Sequence, residues 1–219
     1  MQKIYEGIVY DIVPKTGGVV FFCRETEDEP LYVKMLSLAD GKMVDVNLAV
    51  YAGCKMGNNY HAAVKYCNNY VLDHVVPLNS GRVFICTEAG EGYLLDSAGE
   101  LCWSGEIKYR GAAPSGIAFY KNALWASFKE SDVLLRFNLN TMRSELRIGG
   151  KNSPFEGPED IYIEGKTAVV CSVRSKNLVK VNLENYTVED YYQFDEPIRK
   201  YLKVDGYEFV VLDSGLYVI

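Results

Sequence analysis

Four short runs of β-branched and aromatic residues, joined by three tight turns, recur along this chain at nearly constant spacing. That repeat constrains the fold more than any other feature. The unit is plainest in the middle of the chain. Residues 115–120 turn at Lys121-Asn122 into 123–128, pass the polar connection Glu130-Ser131-Asp132 into 133–138, and turn at Asn140-Thr141 into 143–148. The next unit repeats the grammar, with 160–163, 168–172, 178–182 and 187–192 separated by Glu164-Gly165, Lys176-Asn177 and Glu184-Asn185. Runs of this length and composition, punctuated by Gly, Asn and Asp, read as strands in hairpins, and long segments of helical period are absent.

Two earlier units fit the same frame: 11–13, 18–23, 31–38 and 43–48, then 73–76, 82–86, 92–96 and 101–103. A fifth holds only three runs, 200–203, 208–212 and 215–219, while one unassigned strand-like stretch, 2–6, precedes the first unit. A ring resolves both anomalies. The expected fold is therefore all-β: a five-bladed β-propeller with four-stranded antiparallel blades, closed by the N-terminal strand completing the last blade. Closure leaves only short sheet edges, whereas an open array would leave a bare three-stranded blade.

Spacing supports this register. Asp11, Asp73, Gly116, Asp160 and Lys200 stand at equivalent inner-strand positions, with gaps of 62, 43, 44 and 40 residues. A propeller blade takes ~40–50 residues, so the first gap carries an insertion of about 20. The expected organisation is one domain spanning 1–219, with blades at approximately 9–53, 70–110, 114–155, 158–196, and 198–219 plus 1–8. The insertion is placed at 54–69, where residues 60–66 could form one or two helical turns between Asn58-Asn59 and Asn68-Asn69.

The stretch Pro114-Ser115-Gly116-Ile117-Ala118, followed by Ala123-Leu124-Trp125-Ala126-Ser127 and Val133-Leu134-Leu135-Arg136-Phe137, resembles one blade of the NHL and YVTN-type propeller repeats. Gly157-Pro158-Glu159-Asp160-Ile161 is similar to the same blade opening. The resemblance covers about two of the five blades well. It lacks the Gly-His start and Trp-Asp ending of WD repeats.

Composition excludes some functions. The net charge is −6, with no run of Lys and Arg, which disfavours nucleic acid and anionic membrane surfaces as partners. The apolar runs are strand-length, and the N-terminal residues lack the apolar core of a secretory signal. Cys23, Cys54, Cys67, Cys86, Cys102 and Cys171 contain no Cys-x-x-Cys pair, so a cytoplasmic monomer with free thiols is expected.

Chemistry is expected where the innermost strands surround the axis. Asp11, Asp73 and Asp160 could hold a divalent cation through carboxylate oxygens, although Arg199 and Lys200 would partly neutralise them, and no cofactor is expected. With Glu159, Arg199 and Lys200 they form the candidate ligand-binding ring, to which the insertion could add Tyr60, Tyr66 and Tyr70. A plainer role for a strand-start Asp is to accept hydrogen bonds from backbone amides. His74 beside Asp73 is the candidate acid–base pair. Cys54, His61 and Cys67 offer three zinc-type ligands at wide spacing. No nucleophile elbow or phosphate loop occurs.

The expected function is non-enzymatic recognition: a propeller scaffold binding a protein partner or small polar ligand at the channel-end face. The alternatives are a lactonase-like, metal-dependent hydrolase or lyase using the Asp ring, and a glycan-binding propeller, which the 17 Tyr would suit.

Overall fold

Every blade is an antiparallel four-stranded sheet whose second strand is apolar on both faces, because each face is covered by a neighbouring blade or, between the first two blades, by a helical segment. The computed structural model describes residues 1–57 and 60–219; Asn58, Asn59 and the Tyr60 side chain lie outside the described residues. The first blade consists of β2 (Ile8–Lys15), β3 (Gly18–Arg24), β4 (Tyr32–Ser37) and β5 (Met43–Val46). The second holds β6 (His74–Pro77), β7 (Val83–Cys86), β8 (Glu91–Leu95) and β9 (Leu101–Glu106). The third has β10 (Gly116–Tyr120), β11 (Ala123–Phe128), β12 (Val133–Asn138) and β13 (Ser144–Gly149). The fourth comprises β14 (Pro158–Glu164), β15 (Thr167–Ser172), β16 (Asn177–Asn182) and β17 (Val188–Gln193).

The last blade takes β18 (Ile198–Val204), β19 (Tyr207–Leu212) and β20 (Gly215–Val218), and its outer strand is β1 (Gln2–Glu6). β1 lies antiparallel to β20, with Gln2 opposite Val218 and Glu6 opposite Gly215. Gly215 has φ 143°, and a side chain there would collide with the Tyr5 carbonyl, so glycine permits the close approach of the closing strand.

The core is divided among the seams between blades. Phe84, Cys86, Leu124 and Phe128 fill the seam between the second and third blades; Trp125, Phe155 and Val170 fill the next. Val169, Cys171, Val210 and Leu212 join the fourth blade to the fifth. Tyr5, Phe21, Cys23, Phe209 and Val211 seal the fifth to the first. All six cysteines are free thiols, and Cys23, Cys86 and Cys171 are buried in these seams.

The remaining seam is built differently. Helix α1 (Leu48–Met56) packs on β2, β3 and β6, with the single turn α2 (Tyr60–Ala63) beside it. Tyr51, Met56 and Ala63 of this segment are buried. The helical segment thus begins at Leu48, ahead of the expected insertion start at Cys54, and the expected strand 43–48 ends at Val46. Asn47 is the physical reason: its side chain accepts a hydrogen bond from the Val50 amide at 3.1 Å, capping the helix. Lys55 lies in the last turn, where the helix dipole favours a cation, and Gly57 ends it at φ 57°. The insertion is a wedge between the first two blades. Among the described residues, no helix is long and apolar enough to cross a membrane.

Candidate functional site at the axial channel

Strand pairing identifies the residues that meet at the axis. Asp11 lies opposite Phe22, His74 opposite Cys86, Gly116 opposite Ser127, Asp160 opposite Cys171 and Lys200 opposite Val211. Phe22, Cys86, Ser127, Cys171 and Val211 are equivalent positions of the second strand of each blade. The ring is therefore Asp11, His74, Gly116, Asp160 and Lys200. In the second blade the sequence register is off by one, because β6 begins at His74 and Asp73 precedes it.

That offset sets the fate of Asp73. Its Oδ2 accepts hydrogen bonds from the Asn68 and Asn69 amides at 2.6 and 2.9 Å, and its Oδ1 accepts one from the Glu88 amide at 3.0 Å. The carboxylate ties the end of the insertion to the turn after β7, and only 1% of the residue is exposed. Asp73 is occupied by backbone amides, and among the described residues no hydrogen bond joins its carboxylate to His74.

Asp11 is the hub of the ring. Lys55 reaches it from α1, Nζ donating to Oδ2 at 2.7 Å, and Lys200 reaches it from β18, Nζ lying 3.1 Å from Oδ1. The Tyr51 hydroxyl donates to Oδ2, and the Ile12 amide donates to Oδ1. Burial alone would push the Asp11 carboxyl up, but Lys200 and Lys55, with the hydrogen bonds from Lys55 and Tyr51, hold it well below the usual carboxylate range. Lys55 also donates to the Val71 carbonyl at 3.0 Å, so one ammonium joins the helix, the first blade and the end of the insertion.

Asp160 stands farther from a cation, its Oδ1 4.0 Å from Lys200 Nζ. Burial raises its pKa; Lys200 opposes the rise and Asp11 adds to it. Gly116 lies directly beside it: a side chain there would meet the Asp160 Cα and Oδ1. Burial would lower the Lys200 pKa, but Asp11 and Asp160 outweigh it and raise it instead. His74 faces two ammonium groups; burial first, then Lys200 and Lys55, depress its pKa to about 3. The neutral ring places Nε2 3.4 Å from the Pro114 carbonyl, to which it can only donate.

These residues separate two hollows along one axis. On the side where the innermost strands begin lies a bowl of 510 Å³, bordered by Tyr10, Glu27, Ser115, Glu159, Arg199 and Asp213. On the other side, a cavity of 380 Å³ runs between Pro14, Pro77, Phe119, Ile163 and Leu202. His74 and Lys200 border both. Ion pairs fix the rim of the bowl: Lys129 Nζ lies 2.7 Å from Glu159, and Arg199 Nε donates to Asp213 at 2.8 Å while its other arm stands 4.0 Å from Glu159.

Of the residues singled out from the sequence, Asp11, Asp160, Lys200, Glu159 and Arg199 come together at the axis and its mouth. Tyr66 and Tyr70 pack the insertion down: Tyr66 meets Tyr93 with ring centroids 4.9 Å apart, and the Tyr70 carbonyl accepts the Tyr51 hydroxyl at 3.2 Å. Tyr60 belongs to α2, and its side chain lies outside the described residues. Cys54 borders the 380 Å³ cavity, Cys67 packs beside Val83 and Leu95, and His61 borders a surface hollow near Gly99. Among the described residues, no three His, Cys, Asp or Glu side chains are grouped as metal ligands would be. Sequence reasoning missed Tyr51 and Lys55; the only signal was the Asn47 cap, which would have placed both on one helix.

No protein-family model matches the chain, and no curated protein matches it. Solved structures do. A streptogramin B lyase superposes with a TM-score of 0.53 at 11% identity, covering 98% of this chain and 69% of that one. A catalytically inactive virginiamycin B lyase from Staphylococcus aureus, solved with quinupristin, gives 0.53 at 13% identity over 95% of this chain, which spans 64% of the lyase. Myxococcus xanthus glutaminyl cyclase gives 0.51 at 10% identity, covering 98% of this chain and 92% of that one. At these identities the likeness is one of fold, and the fold is a β-propeller.

Proposed function

We propose that this propeller is a recognition module whose bowl binds a small polar ligand, without turning it over. One observation carries the reading: Asp11, the carboxylate at the hub of the axis, is already partnered by two ammonium groups, a hydroxyl and an amide of the chain itself, while the bowl beyond it is rimmed by fixed donors and acceptors. A cation shared by Asp11 and Asp160 would have to sit where the Lys200 ammonium sits. A general base needs a group free to take a proton and a side chain to orient it. Asp73 is held by three amides, and His74 is hydrogen-bonded to a main-chain carbonyl. The lyase and cyclase among the solved neighbours share the fold at identities too low to bring their chemistry here.

The rim suits a ligand with both donor and acceptor groups. Arg199 and Lys200 present cations, and Glu27 and Glu159 present carboxylates, around one hollow. Rigid ion pairs at such a rim reduce the ordering cost of binding. Saturation-transfer NMR with a panel of amino acids, hydroxy acids and monosaccharides tests the reading. Compounds that bind should lose affinity about tenfold or more in Arg199→Ala and in Glu159→Gln, the scale of a hydrogen bond to a charged group. Binders indifferent to both substitutions, or turnover of any panel compound, would overturn it.

A further inference from the structure

A second surface lies on the outer flank of the first blade, away from the axis. Leu31, Tyr32 and Leu48 are among the most exposed large apolar side chains of the protein, at 53%, 37% and 45%. They converge on one groove of 270 Å³, floored by Phe22, Val33 and Val46. Scattered exposed apolar residues need no explanation, but three around one concave site do.

The loop Glu25-Thr26-Glu27-Asp28-Glu29, exposed throughout, leads through Pro30 into Leu31 at the edge of the groove. None of its four carboxylates is in an ion pair among the described residues. The nearest cation, Arg24, is turned inward, donating to the Glu27 carbonyl at 2.6 Å and lying over the Tyr10 ring. Lys34 is committed to Asp45 at 2.7 Å. Elsewhere on the blades the surface carboxylates Glu106, Glu145, Glu164 and Glu184 are each matched by Lys or Arg. Other carboxylates, Glu88, Asp96, Glu100 and Asp205 among them, also stand in no ion pair among the described residues, but nowhere else in the chain do four fall within five residues.

We infer that this groove docks a segment of a partner protein that inserts an aliphatic or aromatic anchor and carries Lys or Arg beside it, over the 25–29 loop. Charge complementarity selects this occupant. A second copy of the chain, with net charge −6, would bring two acidic loops together about a two-fold axis. An anionic lipid surface would be repelled by the same loop. The site stands independently of what occupies the bowl, although Glu27 of the same loop lines that bowl.

The test uses the full-length protein, immobilised and panned against a phage-displayed random dodecapeptide library. The enriched peptide is then titrated as a fluorescein conjugate by anisotropy. Enriched sequences should combine an apolar anchor with net positive charge. Leu31→Ser and Leu48→Ser should each weaken binding about tenfold or more, as truncating a central anchor does. The triple substitution Glu27→Gln, Asp28→Asn and Glu29→Gln should weaken it at low salt and flatten its salt dependence. All these positions are exposed, so melting curves should match the parent protein, and Arg199→Ala should leave the affinity unchanged. The proposal fails if no peptide is enriched, if the enriched peptides carry no basic residues, or if affinity survives both Ser substitutions. It also fails if sedimentation finds a dimer that Leu48→Ser dissolves, which would assign the groove to a second copy.

Discussion

Lys200 of the last blade reaches Asp11 of the first across the seam that closes the ring, its Nζ 3.1 Å from Oδ1. On the other side of the same carboxylate, Lys55 arrives from the helical wedge. One buried anion thus fastens both irregular seams of the propeller, the one closed by a terminal strand and the one filled by a helix.

Asp11→Asn should be among the most damaging substitutions at the axis. It leaves two largely buried ammonium groups without their counter-ion, and breaking such a pair costs about 3–5 kcal/mol. At ~2–4 °C per kcal/mol for a domain of this size, the melting temperature should drop by about 6–20 °C. A drop of only a degree or two in calorimetry would show that Lys55 and Lys200 find other partners or water.

Asp160→Asn should behave in the opposite way. Burial raises the pKa of this carboxyl, so its charged form is less favoured in the folded protein than in the unfolded chain. A neutral isostere removes that penalty, and the melting temperature at neutral pH should hold or rise. A fall comparable to that of Asp11→Asn would mean that Lys200 depends on both carboxylates equally.

Tyr51→Phe isolates the wedge's hydrogen bonding from its packing. The ring is buried and stays; the hydroxyl that serves Asp11 and the Tyr70 carbonyl is lost. A cost of about 1–3 kcal/mol is expected in urea unfolding, the range for leaving a buried acceptor short of a donor.

Acid should destabilise the propeller in two stages. The His74 pKa falls from the usual 6.5 to about 3 in the folded protein, so the unfolded chain binds a proton that the folded one refuses. Stability therefore falls as pH drops below about 6.5, at no more than ~1.4 kcal/mol per pH unit. Asp11, depressed below the usual 3.8, adds stability that is present above that value and lost as pH falls through its lower folded pKa. His74→Asn should flatten the first stage and leave the second. The His74 ring signals in NMR should not titrate between pH 8 and pH 5; a midpoint near 6.5 would show the imidazole open to water.

Much of this was legible in the residues, and the reasons for the rest are local. Blade register follows from alternation and turn residues, which repeat; closure follows from one missing strand at one end and one spare at the other. The wedge was harder, because Leu48-Ala49-Val50-Tyr51 continues the apolar character of the preceding strand and only Asn47 marks the change. The ring position of His74 was displaced to Asp73 for a similar reason. An acidic residue before β6 looks like Asp11 and Asp160, yet one residue of offset turns its carboxylate to the backbone. The Asp11–Lys55 pair left no trace in spacing, because it depends on how a helix is inserted rather than on the repeat.

The pairing of Gln2 with Val218 and Glu6 with Gly215 has a mechanical side. The two strands that complete the last blade run antiparallel, with their chain ends together. A tension applied between Met1 and Ile219 would load the hydrogen bonds of this pair one after another instead of sharing the force across them. Under such a pull the circle should part there first, like a zip drawn from its open end, with Tyr5 leaving the seam it shares with Phe21 before any other blade yields.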